Sequence, residues 1–163
     1  MTTITVQYPE GRIDVRQRRV LAQTLTDAVL TIECGQMLEP ARVGFQVHFR
    51  SLPADCMAIG GRLLADAPAD ILVLDVAVMD AAWTHHDRRR VIDALFAALA
   101  RGLGVDQPSP TWWIQFRVIE EGSWGSRGGA LSILDLLETG AFAPERASAI
   151  RSSVIASNSI KPA

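Results

Sequence analysis

The chain has 163 residues, of which 48% are hydrophobic and 21% are charged, and its formal net charge at neutral pH is −2. This composition supplies enough apolar side chains for a packed core and excludes a disordered chain. The small negative charge also excludes nucleic acid or anionic lipid as a partner held by bulk electrostatics.

The cysteine count and the apolar runs set further limits. Cys34 and Cys56 form no disulfide framework, and their spacing fits no zinc pattern. No apolar run approaches the roughly 20 residues of a membrane helix, and residues 1–5 lack the blocks of a secretory signal. We therefore expect a cytoplasmic protein that needs no metal or other cofactor and binds no nucleic acid and no membrane.

The first half of the chain predicts a strand, a helix and a second strand. Residues 3–8 alternate β-branched and polar side chains, which is typical of a strand with one buried face. Asp14 is placed to cap a helix of regular apolar spacing, and Gly35 is placed to end it. Residues 42–49 alternate again. A helix between two strands is a crossover, so this pattern indicates parallel pairing.

The second half predicts the same order of elements after an irregular link. Residues 71–78 form an apolar strand, residues 84–102 a helix, and residues 112–118 a fourth strand. Residues 131–138 are predicted to form a short amphipathic element. The serine- and alanine-rich segment from residue 139 onward is interpreted as a tail, either loose or wrapped around a neighbour.

An offset of 71 residues relates similar positions in the two halves and indicates a duplicated β-α-β unit. The pairs are Arg18 with Arg89, Phe45 with Phe116, Arg12 with Trp83, and Arg42 with Trp113. The glycine pairs 60–61 and 128–129 differ by less, which indicates a loop about three residues shorter in the second copy. At two positions the duplication thus exchanges an arginine for an indole.

These elements predict an α/β (α+β) fold with one four-stranded sheet and both helices on one face. The other face would be bare and apolar, which favours oligomerisation through the sheet. We expect one domain over residues 1–140, built from repeats at about 2–61 and 71–129, followed by a tail at 141–163.

Four short motifs carry a resemblance to a known family. They are Glu10-Gly11-Arg12, Arg42-Val43, the loop at residues 57–61, and the segment at residues 124–128. In this order and spacing the chain resembles the tautomerase superfamily, which includes 4-oxalocrotonate tautomerase. Its fused length is similar to that of malonate semialdehyde decarboxylase and cis-3-chloroacrylic acid dehalogenase. The resemblance implies a homotrimer that acts on a small carboxylate or keto acid without a cofactor.

The resemblance also implies a mechanism, from which this chain departs. Members of the family use the amine of an N-terminal proline as base or acid, and arginines hold the substrate carboxylate. Thr2 stands at the proline position, and the second copy has Trp83 and Trp113 at the arginine positions. The tyrosine of the dehalogenase aligns with Gln115.

The candidate site residues follow from that alignment. The amine of Thr2 is the candidate catalytic group if Met1 is removed; the alternative is an ordinary buried strand end. The candidate substrate-binding residues are Arg12, Arg42, Met57, Trp83, Trp113, Gln115 and Trp124. For the two arginines the alternative is surface salt bridges at strand ends. Two functions stay open: a tautomerase or lyase-type enzyme, and a diverged, inactive member that serves as a binding or structural oligomer.

Overall fold

The computed structural model describes residues 1–126 and 128–160. Eight strands and four α-helices follow one another along these residues. In chain order they are β1 (Thr2–Pro9), α1 (Val15–Cys34), β2 (Phe45–Leu52), β3 (Ala58–Ile59), β4 (Arg62–Leu63), β5 (Leu72–Met79), α2 (His85–Leu103), β6 (Trp112–Ile119), β7 (Gly125–Ser126), β8 (Gly129–Ala130), α3 (Ile133–Leu137) and α4 (Pro144–Ile160). Within the described ranges, no helix has both the length and the apolar character needed to cross a membrane.

The four long strands form one sheet in the order β2-β1-β5-β6. The outer pairs, β1–β2 and β5–β6, are parallel, as the predicted crossovers require. The central pair, β1–β5, is antiparallel, and Thr2 lies opposite Val78. The two β-α-β units therefore join edge to edge with opposite directions, and the predicted tandem β-α-β fold is confirmed.

One face of the sheet and the two long helices enclose the core. Every second residue of β1, from Thr2 to Tyr8, is buried on this face. Helices α1 and α2 cross it side by side and approach closely at Gly102. A Cβ atom at Gly102 would lie 2.5 Å from Cδ2 of Leu21, so any larger residue there would force Leu21 or the helices to shift.

The caps of the helices agree with the sequence. Asp14 accepts a hydrogen bond from the backbone N–H of Gln17, and Thr84 makes the same contact with Asp87. Gly35 ends α1 in the left-handed conformation, with φ 70°. Local sequence signals therefore placed both helix starts correctly.

Two expectations about the strands are wrong. The second strand begins at Phe45 rather than at residue 42, because Glu39–Gly44 forms a 3-10 helix. The open face of the sheet is largely polar rather than apolar. Its polar side chains are Thr3, Thr5, Gln7, Gln46, His48, Arg50, Asp75, Gln115 and Arg117. The alternation along each strand places the apolar residues under the helices and leaves these outside.

The internal correspondence also differs from the predicted offset of 71. The N-caps Asp14 and Thr84 are 70 positions apart, as are the starts of β1 and β5. Trp83 therefore corresponds to Ile13, and both side chains are buried. Arg12 corresponds to Ala82. The indole replaces an apolar core residue and not an arginine.

After the helices the spacing between the repeats falls to 67. The second repeat has a helix one residue shorter and a shorter connection, so β6 begins 67 positions after β2. The hairpins that follow keep this spacing, and each carries one equivalent backbone hydrogen bond. Leu64 donates to Met57 at 2.9 Å, and Leu131 donates to Trp124 at 2.8 Å. Met57 and Trp124 are thus equivalent positions, whereas Arg42 and Trp113 are not.

Two helices follow the last hairpin, over the segments that the sequence analysis interprets as an amphipathic element and a tail. Helix α3 corresponds to the predicted amphipathic element, and α4 buries Ile150 and Val154 against the main core. The main-chain N–H of Ala143 donates to the carbonyl of Cys34 at 2.7 Å. The segment from Phe142 to Val154 is therefore packed on its own chain. The division at residue 140 into a domain and a tail stays a prediction.

Candidate functional site

A cavity of about 300 Å³ lies at the chain's N-terminus, between the end of α1, the start of β2 and the segment that leads into α4. We call it the N-terminal cavity. Most of its walls are apolar side chains, namely Leu38, Val43, Phe45, Leu136, Ala141 and Phe142. Its polar groups come from Met1, Glu33, Cys34, Ser126 and Thr139. Apolar walls with a few polar groups are typical of small-molecule sites.

The amine of Met1 and the carboxylate of Glu33 form the charged part of this cavity. The ammonium donates to Oε1 of Glu33 at 3.2 Å, and the hydroxyl of Thr2 donates to Oε2 at 2.6 Å. The side chain of Glu33 is only 1% exposed, and that of Met1 is 20% exposed. A buried carboxylate therefore fixes the position of the terminal amine.

The neighbouring thiol does not add to the charge. Burial raises the pKa of Cys34 to about 12, with a further contribution from the negative charge of Glu33. The thiol is protonated at neutral pH and is a weak nucleophile in that form. Cys34 serves as part of the wall.

A second cavity of about 220 Å³ occupies the equivalent place in the second repeat. We call it the Trp113 cavity. Three pairs of wall residues show the equivalence at the spacings given above: Met1 with Ile71, Gly44 with Thr111, and Ser126 with Ile59. Because Ile71 lies in mid-chain, this cavity has no terminal amine. Of the candidate residues, it brings together Met57 and Trp113.

Arg12 is held by an acidic partner at the far end of β1 from Met1. Its guanidinium donates to both oxygens of Asp70, at 2.6 and 3.1 Å, and lies 5.8 Å from the ring centroid of Trp112. These hydrogen bonds hold the pKa of Asp70 below its ordinary value. A two-pronged contact of this kind is the geometry with which arginine binds a carboxylate.

Arg42 is likewise engaged within the chain. Its guanidinium pairs with Asp27 of α1 and, through Nε at 2.6 Å, with Glu39. These hydrogen bonds raise the pKa of Arg42. Ala41 and Val43, on either side, line the N-terminal cavity, whereas Arg42 lines a separate open groove. The structure therefore does not bring Arg12 and Arg42 together.

Trp83 lies in the core beside the turn that enters α2. It is 6% exposed, its indole N–H donates to the carbonyl of Met79 at 3.0 Å, and its ring meets Phe116 edge to face at 5.1 Å. The guanidinium of Arg146 lies 5.2 Å from the ring centroid. Trp83 thus supports the turn and the C-terminal helix rather than the wall of either cavity.

Arg146 connects helix α4 to two other parts of the chain. Its Nε donates to the carbonyl of Glu33 at 3.1 Å, and its two Nη atoms donate to the carbonyls of Ala81 and Ala82. Ala82 has φ 52°, a left-handed conformation that is uncommon for a residue other than glycine. Arg146 therefore stabilises a strained turn and the main chain of the residue that binds the terminal amine.

The remaining candidates are dispersed. Gln115 is exposed on the open face of the sheet, and Trp124 packs, half-buried, against the main core. Arg127, part of the motif at residues 124–128, lies outside the described residues. Within the described part of the chain, no three His, Cys, Asp or Glu side chains group as metal ligands.

Sequence reasoning missed Glu33 and Arg146. Glu33 could have been found from its place on α1. It stands four residues after the apolar Val29, so it lies on the buried stripe of an amphipathic helix, where a charged residue is unusual. No local pattern marks Arg146, because its partners are main-chain carbonyls more than 60 residues away.

Comparison with known proteins gives matches among solved structures only. No protein-family model matches the chain, and no curated protein matches it. A structure described as native fused 4-OT is 27% identical, with a TM-score of 0.65, covering 78% of this chain and 94% of that one. A second match is N1, a member of the cis-3-chloroacrylic acid dehalogenase family, at 21% identity and TM-score 0.68, covering 88% and 93%. A third, a fused 4-OT described as a wild-type symmetric trimer, is 20% identical with a TM-score of 0.64, covering 80% and 94%.

Proposed function

The chain belongs to the tautomerase superfamily, and on this premise we propose that it is a cofactor-free tautomerase acting in the N-terminal cavity. The substrate would be a keto acid or a related small carbonyl compound that can enolise. The observation that supports this proposal is that Met1 and Glu33 both line the cavity and that the buried glutamate holds the Met1 amine.

The chemistry requires one proton carrier next to an apolar space. In the direction from enol to keto form, the terminal ammonium gives a proton to the carbon of the C=C bond, whose electron pair forms the new C–H bond. The enol O–H proton passes to the amine as the O–H electron pair becomes part of the C=O bond, so the ammonium beside Glu33 is restored and the reaction is balanced without an oxidant or a metal. A positioned amine is one of the groups that can act as general acid and base in such a transfer.

Glu33 suits this role because it fixes the amine without occupying the cavity. It accepts one N–H from Met1 and the hydroxyl hydrogen of Thr2, and it is itself inaccessible to water. Where Met1 is removed, the amine of Thr2 becomes the first group of the chain beside the same carboxylate. Thr2 is buried and is not among the described residues that line the cavity, so the first residue of the mature protein matters for this proposal.

The test is tautomerisation of phenylpyruvate by protein whose N-terminus has been identified by mass spectrometry. A Gly-Ser extension before Met1 removes the free amine from the cavity, and the same extension after Ala163 is the matched control. We expect the N-terminal extension to lower kcat/KM by roughly 10²-fold or more. Equal activity of the two extended proteins would refute the role of the amine.

A second candidate function is binding without catalysis in a diverged member of the family. It is favoured by the ion pairs of Arg12 and Arg42, which engage both candidate carboxylate ligands within the chain. Arg12→Ala and Arg42→Ala test their role. A large rise in KM would support substrate binding by the arginines, and unchanged kinetics would exclude it.

We also propose that the chain assembles as a homotrimer through its sheet. The open face carries polar side chains and a cross-strand ion pair, from Nε of Arg117 to Asp75 at 3.0 Å, and none of the described helices lies over it. One matched fused 4-OT is described as a symmetric trimer. Light scattering should give three times the chain mass of 17.7 kDa, and a monomer mass would contradict the proposal.

A further inference from the structure

We infer that Glu33 makes the N-terminal cavity selective for uncharged carbonyl compounds and against carboxylates. The inference rests on the proposed function, since it names the substrate class of the same cavity. It departs from the expectation that arginines hold a substrate carboxylate. Glu33 would thus be a specificity-determining residue, through its charge, and not a proton carrier.

The first argument is the burial of the Glu33 carboxylate. Its two oxygens are satisfied by the Met1 ammonium and the Thr2 hydroxyl, and the residue is 1% exposed. An anionic ligand at the ammonium would share one positive charge with the Glu33 carboxylate. Two carboxylates beside one cation repel each other where little water is present, so this arrangement is unfavourable.

The second argument is the charge around the cavity. The described wall residues include no lysine, arginine or histidine. Arg146, which contacts the main chain of Glu33, donates hydrogen bonds to three main-chain carbonyls. Its Nη1 atom also lies 3.8 Å from Oδ2 of Asp87. Two cations, Met1 and Arg146, are therefore matched by two carboxylates, and little positive charge is left for a ligand anion.

The third argument comes from the repeat. Leu103 stands 70 positions after Glu33, at the same place in α2, and is buried there. The fold therefore accepts an apolar side chain at this helix position. The carboxylate occurs in the repeat whose cavity contains the terminal amine, where it faces that amine, and so it is not a requirement of the helix.

An uncharged ligand is compatible with the same arrangement. An ammonium has three N–H donors, so it can keep its bond to Glu33 and still donate to a carbonyl oxygen. The apolar body of the ligand would contact Val43, Phe45 and Phe142. No buried charge loses its partner in this complex.

The experiment compares phenylpyruvate, which is an anion at neutral pH, with its uncharged methyl ester. For the unmodified protein we expect kcat/KM for the ester to exceed that for the acid by about ten-fold or more, because like charges are repelled. Glu33→Gln should reduce this ratio toward one, whereas Glu10→Gln, which removes an exposed carboxylate at the far end of β1, should leave it unchanged. Arg127→Ala is measured beside them, because Arg127 follows the wall residue Ser126.

The outcomes separate the inference from the proposed function. Turnover of both compounds with preference for the acid would overturn the inference alone and would point to a cation from a second copy of the chain. A ratio that shifts toward the ester in Arg127→Ala would also overturn it, by assigning that arginine as an anion ligand. If neither compound is turned over, the proposed function fails, and the inference is then tested by calorimetric binding of the acid and the ester. Tighter binding of the ester supports the inference. Equal binding, tighter binding of the acid, or no binding of either refutes it. The comparison on the unmodified protein holds even if Glu33→Gln does not fold.

Discussion

Replacing Arg146 with alanine tests whether the C-terminal helix is part of the folded unit. The substitution removes three hydrogen bonds to main-chain carbonyls and the contact with the Trp83 ring. It also leaves the carbonyls of Ala81 and Ala82 without these donors beside a residue in a strained conformation. The perturbation therefore acts on α4, on the turn before α2 and on the end of α1 together.

The magnitude follows from the burial of the guanidinium. A hydrogen bond from a charged donor stabilises by about 1.5–3 kcal/mol, and a cation–π contact adds about 0.5–2 kcal/mol. These values do not add fully, because Arg146 is 13% exposed and water can reach part of the site in the variant. We expect a loss of about 3–5 kcal/mol in the free energy of unfolding, because several of these contacts are lost together from a largely buried site.

The assay is urea denaturation, with Arg151→Ala as the matched control on the same helix. Arg151 is 50% exposed and makes an ion pair with the exposed Glu138 at 2.8 Å, so its loss should cost less than about 1 kcal/mol. Free energies of unfolding that agree within about 1 kcal/mol for the two variants would refute the reasoning. That result would mean that α4 adds little to the stability of the sheet and long helices.

Three further changes test the core, the repeat and an ion pair. Trp83→Ala should lower the free energy of unfolding by about 3–5 kcal/mol, and Trp113→Ala, which truncates an indole that is 56% exposed, by about 1 kcal/mol or less; denaturant titration compares them. Gly102→Ala should destabilise the natural protein by up to about 2 kcal/mol, because overpacking against Leu21 exceeds the gain in helix propensity. When the same substitution is made in the Leu21→Ala variant, it should raise the free energy of unfolding of that variant. Asp70 has a pKa lowered by its arginine partner, so its ion pair contributes stability above about pH 4, the ordinary aspartate pKa, and loses it as the pH falls through the lowered value. Asp70→Asn should therefore be less stable than the natural protein at pH 7 by under about 1 kcal/mol, with the difference vanishing at lower pH.

Each of these expectations has a contrary result. Equal losses for the two tryptophans would contradict the assignment of one to the core and one to the surface. If Gly102→Ala changes the stability in the same direction with and without Leu21, the contact between Gly102 and Leu21 does not set the distance between the two helices. A stability difference for Asp70→Asn that is constant with pH would mean that the ion pair is not its source.

Local patterns in the sequence were sufficient for the order of the four long strands and two long helices. Alternating strands, the cap at Asp14 and the glycine at residue 35 depend on interactions within a few residues, which a sequence displays directly. The alternation of polar and apolar residues along the strands also indicates a polar open face. The expectation of an apolar face came only from the placement of both helices on the other side of the sheet. Reading each strand by face would have corrected it.

The candidate site was harder, because its contacts join distant parts of the chain. The offset of 71 came from arginine pairs on helix surfaces, where side chains are interchangeable, while the caps and buried residues give 70. One position of error paired Arg12 with Trp83 and suggested a lost charge. The partners of Glu33, Asp70 and Arg146 could not be predicted, since each pair is more than 30 residues apart in sequence.

The antiparallel junction of β1 with β5 gives one chain two related cavities at opposite ends of its sheet. In an assembly of identical halves, each mutation in the gene appears in both sites at once, and a change that improves one can damage the other. Here separate codons specify the two cavities, so Glu33 and Leu103 could diverge without a compromise between them. Fusion of the repeats therefore allows the walls of the two cavities to change independently of each other.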